Sequence, residues 1–339
     1  MKAAVFKQKD EMAIIDVPDP VAGVGGVVLK VHNCGICGTD LHMVQHGTGM
    51  PSDSVMGHEF CGEIHSIGAG VDGYHVGDRV ASLPRTSCGV CEWCRRDDSI
   101  HCSKQRSLGL GQLPGAYAEF VACSAASLLK LPANVSSRAG ALVEPLSVGL
   151  HGVNHASIQP GMGVVVMGAG PIGLSTLIWA KAKGASAVVV SELAPGRTEL
   201  AMRLGATAVV NPTKDDPANA IRSITGRPPE IVFECIGVKS TLSAAIGMVA
   251  RHGQVVVIGV CMEPDSIYPL TCVMKEVQIN FALAYTRGDF QETIDALSNG
   301  KIDAMPMITD VINVDEVPAM FTELKRPGTR AKVMVEFPH

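Results

Sequence analysis

The segment Cys34-Gly35-Ile36-Cys37-Gly38-Thr39-Asp40-Leu41-His42 concentrates reactive side chains, with a thiol, a hydroxyl and an imidazole between Cys37 and His42. Gly57-His58-Glu59 adds another imidazole and a carboxylate. Sulfur, nitrogen and oxygen from Cys37, His58 and Glu59 are zinc-ligand types, and three protein ligands with one open position suit a catalytic zinc. Adjacent residues of an extended loop usually point apart, so His58 and Glu59 are not expected to bind at once unless Gly57 relieves that restriction. Glu144, beside the rigid Pro145, is an alternative or fourth ligand.

Cys88, Cys91, Cys94 and Cys102 place four thiols in one short stretch. Four thiolates with no open position describe a structural zinc. An iron–sulfur cluster also takes four thiolates, but its usual spacings differ from this one. Free or paired thiols are the bland alternative. Binding energy at a structural zinc is folding energy, so losing one ligand should destabilise the fold.

Gly168-Ala169-Gly170-Pro171-Ile172-Gly173 follows an apolar run and opens an apolar helical pattern. In that context G-x-G-x-x-G is a dinucleotide fingerprint. Gly168 permits the turn, Gly170 lets the backbone approach a pyrophosphate, and Gly173 lets helix and strand pack closely. Pro171 and Ile172 begin the helix, whose N–H groups and positive dipole end would face the phosphates. Glu192, at the end of the next expected strand, can accept from ribose hydroxyls and would repel a 2′-phosphate, which favours NAD(H). Arg197 can flank the same ribose, and it weakens the exclusion of NADP(H).

The elements that position these residues divide the chain by texture. Short apolar runs at 3–6, 12–15, 27–31, 63–67, 79–82 and 118–122, separated by Pro and Gly, read as a β-rich half with function in its loops. From 161 onward, apolar strands at 164–167, 187–190, 208–210, 231–235 and 255–258 alternate with helices at 172–183, 197–204 and 239–250. That pattern implies a parallel sheet covered on both faces. The tail has one helix, 290–298, and a last strand, 332–336, and is expected to return to the first domain.

Composition excludes several classes. The 339 residues are 47% hydrophobic and 18% charged, which implies a folded chain of about two domains. A net charge of −5, with no long basic run, gives no support to nucleic-acid binding. No stretch approaches the ~20 apolar residues that span a bilayer. The opening residues read as a strand without a signal-peptide core, so a cytoplasmic location is expected. In that setting eleven cysteines are metal ligands and buried residues, not a disulfide framework. His32, His46, His65, His75, His101, His151, His155 and His252 read as ordinary histidines without paired ligand spacing.

Taken in order, the chain resembles the zinc-dependent medium-chain alcohol dehydrogenases, closest to the butanediol, sorbitol and threonine dehydrogenase group. The resemblance rests on residues 34–42, 57–59, 76–80, 88–102, 144–151 and 168–174, in family order over essentially the whole length. It implies an α/β fold: a GroES-like β-rich catalytic domain (1–152), a doubly wound Rossmann domain (153–288) and a C-terminal segment (289–339) returning to the first. It implies one catalytic and one structural zinc per subunit, a small alcohol or ketone substrate, and a homotetramer or homodimer through 268–282. Cys37, His58 and Glu59 match the catalytic-zinc ligands, and Glu144 the carboxylate that sits beside that zinc and can replace a ligand. Thr39 and His42 match the proton relay. Cys235, Ile236, Ile258, Gly259 and Val260 match strand ends lining the cofactor crevice, with Leu283 and Ala284 in the same role. Ala284 stands where sorbitol-type enzymes carry an arginine, which points to a smaller or more apolar secondary alcohol or diol.

The expected reaction is hydride transfer between NAD(H) and such an alcohol and its ketone, with zinc as Lewis acid on the oxygen. Thr39 would pass the proton on, through the cofactor ribose, to His42, because a relay needs an acid–base group and imidazole is the type suited to neutral conditions. A sorbitol-type polyol or L-threonine dehydrogenase is the alternative within the family. A thiol redox protein built on Cys34 and Cys37, or a zinc-ribbon binding module on 88–102, would leave the dinucleotide fingerprint unexplained.

Overall fold

In the computed structural model of the chain, every residue is described except Thr48, Pro327 and His339. Two compact units emerge. The first takes Met1–Glu144 together with Thr286–Asn299 and Ile308–His339, and the second takes Pro145–Tyr285 with Gly300–Met307.

In the first unit, strand Gly26–Gly35 is the centre of a seven-stranded sheet. It pairs antiparallel with Glu59–Ile67, Phe120–Ser124 and Lys332–Glu336. Apolar side chains of these strands (Leu29, Val31, Ile64 and Val335) are fully buried. Burying each such side chain contributes about 1.5–3 kcal/mol. The strands run further than their apolar stretches suggest. Strand 27–31 continues to Gly35, and strand 63–67 begins at Glu59, paired with Gly35. Polar, ligand-type residues therefore sit on the ends of rigid strands, where sequence patterning placed a loop.

Helices Gly38–His46 and Ser137–Asn154 were not evident from the pattern. Gly38–His46 is a helix, with Gly38 as its first residue rather than part of a turn. Ser137–Asn154 is an eighteen-residue helix with Pro145 inside it. Its glycines and proline lower helix propensity, but the glycines are packing contacts. A Cβ on Gly140 would lie 2.6 Å from Leu131 Cδ1, and one on Gly149 would lie 2.1 Å from Ser175 Oγ. The tail is also richer than expected, holding helices Arg287–Ser298 and Val317–Leu324 and strands Ile308–Ile312 and Lys332–Glu336.

The second unit carries a six-stranded parallel sheet in the order Ala208–Val210, Ala187–Ser191, Gly163–Met167, Ile231–Glu234, Gln254–Val257, Gln278–Phe281. The central strands are buried along their whole length, which explains their unbroken apolar runs. Gln278–Phe281 escaped the sequence pattern because it is an edge strand, half-buried and partly polar. Helix Pro217–Thr225 escaped it too, although Asp216 caps it and Gly226 ends it.

Candidate active site and metal centres

Cys37 is the N-cap of helix Gly38–His46. The Thr39 N–H donates to Cys37 Sγ at 3.4 Å, and the Cys37 N–H donates to Asp40 Oδ2 at 3.1 Å. This is a capping box with sulfur in place of the usual hydroxyl, which is why the helix start was not legible. Strand Glu59–Ile67 presents Glu59 at its first residue, just after His58 and the turn at Gly57, where φ is +94°. The ligand atoms of Cys37, His58 and Glu59 all lie within 4.8 Å of one another. His58 and Glu59, the two residues after the left-handed Gly57, thus present their ligand atoms to the same place.

Three residues hold this group in position, and sequence reading gave none of them a role. Asp40, fully buried, accepts from His58 Nδ1 at 3.1 Å and from the Tyr117 hydroxyl at 2.6 Å. Lys332 reaches Glu59 Oε1 at 2.7 Å and Oε2 at 2.5 Å, and the Ile36 carbonyl at 2.9 Å. Gly35 leaves room for this pair, since a Cβ there would lie 2.2 Å from Glu59 Oε2. A carboxylate three residues beyond Cys37 was a usable signal for Asp40. Lys332 and Tyr117 lie too far along the chain for any spacing argument.

Burial works against charge on His58, but Asp40 and Cys37 outweigh it and hold its pKa well above the ordinary imidazole value. A metal on Nε2 therefore competes with a proton for that nitrogen. The ring that results, with Nδ1–H on a carboxylate and Nε2 free to ligate, is the arrangement common to zinc-bound histidines. Burial likewise opposes the charge of Lys332, and Glu59, Cys37 and Glu144 raise its pKa. Glu144 is itself buried, in the middle of Ser137–Asn154, and stands outside the 4.8 Å group. Thr39 and His42 lie on the exposed side of the Gly38–His46 helix. Cys34 is buried, burial pushes its thiol well above the usual range, and it is not bonded to Cys37.

Cys88, Cys91, Cys94 and Cys102 form a second group within 4.8 Å. Cys91 and Cys94 sulfurs are 3.5 Å apart, and those of Cys88 and Cys94 are 3.9 Å apart. Thiolates about 2.3 Å from a tetrahedral zinc stand roughly 3.8 Å from each other, so the four sulfurs fit that ion. Backbone N–H groups of Val90 and Cys91 help pull the Cys88 thiol down to about 6. Asp97, in the same loop, accepts from the Gly288 N–H at 2.6 Å, which ties the loop to the start of helix Arg287–Ser298.

The glycine turn has the expected shape. Gly168 has φ +92°, and a Cβ on Gly173 would lie 1.9 Å from the Gly168 carbonyl. Above Gly170 nothing lies within 4 Å, and helix Pro171–Ala182 starts there, with Pro171 and Ile172 in its first turn. That open step at a helix N-terminus fits a dinucleotide pyrophosphate. Glu192 Oε2 accepts from the Ala169 N–H at 2.8 Å, and Oε1 from the N–H groups of Leu193 and Ala194 at 2.7 and 2.8 Å. The acid therefore holds the glycine turn in shape. Arg197 lies in the first turn of helix Pro195–Arg203.

Ile236, Val260 and Leu283 are exposed, Ile258 is buried, and Ala284 has the left-handed φ of +55°. Gly259 packs against Gly237. The Cys235 thiol points to the Thr176 hydroxyl at 3.6 Å, so its backbone is the part that can face a cofactor. A cleft of about 520 Å³ is lined by Met167, Ser191, Ile236 and residues 212–217.

Two histidine pairs correct the sequence reading. His151 and His155, four residues apart on one helix, have Nε2 atoms 3.2 Å from each other. His42 and His46 stack at 6.1 Å. Both show the i, i+4 relation, which spacing alone reveals.

Among the described residues no helix is long and apolar enough to cross a membrane. The family described as alcohol dehydrogenase GroES-like domain matches residues 23–133, and the family described as zinc-binding dehydrogenase matches residues 171–299. A sorbitol dehydrogenase of Bacillus subtilis is 32% identical over 99% of this chain and 97% of its own. The solved 2R,3R-butanediol dehydrogenase of Bacillus subtilis superposes with a TM-score of 0.91 at 31% identity, covering 99% of each chain. A zinc-binding dehydrogenase of Sinorhizobium meliloti, solved with NADP, superposes with a TM-score of 0.91 at 29% identity over 99% of each chain.

Proposed function

The chain belongs to the zinc-dependent medium-chain alcohol dehydrogenases, and from that premise we propose that it transfers a hydride between NAD(H) and a small secondary alcohol or diol and its ketone. The observation that carries this is the convergence of Cys37, His58 and Glu59 within 4.8 Å, at the start of the helix that carries Thr39 and His42.

Cys37, His58 and Glu59 hold the catalytic zinc, and Glu144 is the reserve carboxylate. Asp40 keeps the His58 proton on Nδ1, so that Nε2 is the ligand atom. When bound, zinc supplies Lewis acidity at the substrate oxygen, and the nicotinamide supplies the hydride acceptor or donor. Thr39 takes the hydroxyl proton and His42 releases it to solvent. The 168–173 turn binds the pyrophosphate through its N–H groups, and Glu192 receives the ribose hydroxyls. Cys88, Cys91, Cys94 and Cys102 hold a structural zinc.

The sorbitol and butanediol dehydrogenases are equally similar, at 32% and 31% identity, so the choice of a diol or simple alcohol over a sugar alcohol rests on Ala284, which stands where the sorbitol-type enzymes carry an arginine. Glu192 supports NAD over NADP. The edge strand Gln278–Phe281 and helix Pro269–Lys275 expose Phe281, Val273 and Met274 at 64–70%. A second copy of the chain fits that apolar edge, in a homodimer or homotetramer. Eleven free cysteines suit a cytoplasmic setting.

The test is absorbance at 340 nm with NAD⁺ or NADP⁺ and butane-2,3-diol, sorbitol or L-threonine, before and after chelation. Turnover of the diol with NAD⁺, lost on chelation, is expected. Turnover that survives removal of all zinc would defeat the proposal, and faster turnover of sorbitol would move the substrate to the polyols.

A further inference from the structure

We infer that Tyr117 is a positioning residue of the catalytic metal site, acting through Asp40 on His58; this rests on the reading that Cys37, His58 and Glu59 hold zinc. Asp40 is a fully buried carboxylate, and among the described residues its ion-pair partner is His58 alone. A buried carboxylate needs donors on both oxygens. Oδ2 takes two, the Tyr117 hydroxyl at 2.6 Å and the Cys37 N–H at 3.1 Å. The Tyr117 bond is the shortest of the three that Asp40 receives. With Oδ2 anchored, rotation of the carboxylate is fixed and Oδ1 faces His58 Nδ1. The imidazole plane, and with it the direction of Nε2, follows.

The same tyrosine acts at the other end of His58. Its ring occupies the space that a Cβ on Gly57 would need, 2.6 Å from Cδ1, and Gly57 immediately precedes His58. Backbone bonds from Tyr117 N–H to the Met56 carbonyl (2.8 Å) and from Ala116 N–H to the Gly57 carbonyl (2.9 Å) lock that contact. Ring and hydroxyl therefore fix His58 through its backbone and through its Nδ1. Burial and Asp40 hold the phenol pKa well above its ordinary value, in keeping with the hydroxyl as donor to Asp40. The Gly35 carbonyl, 3.2 Å from the hydroxyl, is a weaker second acceptor.

The test is zinc release from the full-length protein to the chelator dipicolinate. Zinc content is measured first: Cys37→Ser must hold one zinc fewer than the wild type, and equal contents defeat the parent reading. With that established, Tyr117→Phe keeps the ring and removes the donor. It should release the catalytic zinc roughly tenfold faster, the low end of what supporting hydrogen bonds around metal ligands contribute, with the slower release from the cysteine quartet unchanged. Phe321→Leu is the control for packing, because Phe321 meets the Tyr117 ring edge-on at 6.1 Å and has no hydrogen-bonding group to offer the hydroxyl. It should lower the melting temperature and leave release alone. Wild-type release from Tyr117→Phe, or equal acceleration in Phe321→Leu, overturns the inference. Should Tyr117→Phe not fold, 3-fluorotyrosine in place of the four tyrosines sharpens the donor without changing its shape. Release must then slow, and an unchanged rate overturns the inference.

Discussion

Lys332 holds both carboxylate oxygens of Glu59, at 2.7 and 2.5 Å, and each side chain is 1% exposed. The two residues are 273 positions apart in the chain. Removing one partner of a buried pair leaves the other charge stranded. Lys332→Met should therefore destabilise the metal-free protein by about 3–5 kcal/mol. The loss should be smaller with zinc bound, since the metal then takes over Glu59. Urea denaturation with and without zinc checks this, and equal losses in both states would refute it.

The cysteine quartet stabilises more than its own loop, because Asp97 caps the start of helix Arg287–Ser298. Cys94→Ser should lose about one zinc per subunit, melt earlier and aggregate. Hydrogen exchange at Gly288 should rise with it. Unchanged zinc content and melting temperature would refute a structural metal.

Thr39→Val removes a hydroxyl from an exposed helical position and leaves Cys37, Asp40 and His58 in place. Turnover should be abolished while zinc content and NAD⁺ binding persist. Near-normal turnover, measured at 340 nm, would rule out the proton path.

Glu192 is usually read as the residue that refuses a 2′-phosphate, so removing it would be expected to gain NADP(H). Here its carboxylate also holds the N–H groups of Ala169, Leu193 and Ala194. Glu192→Ala should raise KM for both cofactors, because the glycine turn loosens. A fall in KM for NADP⁺ would show that repulsion is its main role.

Burial pushes the thiols of Cys61 and Cys123 up to about 12. Both should resist maleimide at pH 8, while the exposed Cys261 reacts at once. A pKa raised by folding contributes stability that is complete below the unfolded thiol value and is lost as pH climbs towards the folded one. Between roughly pH 8.5 and 12 the protein should therefore weaken, by about 1–2 kcal/mol per thiol at pH 10. A shallower alkaline fall in Cys61→Ala/Cys123→Ala than in the parent checks the cause, the remainder coming from the buried Cys34 and Cys235.

Much of this protein is local in origin and could be read from its residues in order. The alternation of unbroken Val runs with helices announced the parallel sheet, because a strand buried on both faces has no polar positions. The glycine turn and the cysteine quartet were legible because each needs residue types at spacings that a single loop can satisfy. Cys37, His58 and Glu59 were legible as ligand types, and they converge because Gly35 pairs with Glu59 across the sheet.

What only the tertiary structure decided is what surrounds those ligands. The helix starting at Gly38 was hidden because its cap is a sulfur, and the helix holding Glu144 was hidden by glycines that serve packing. Lys332 arrives beside Glu59 because a C-terminal strand joins the sheet next to Gly26–Gly35. Tyr117 reaches Asp40 from 77 residues away. A charge or a donor that acts through space is set by which strands pair, and pairing is a property of the whole sheet that no stretch of sequence contains.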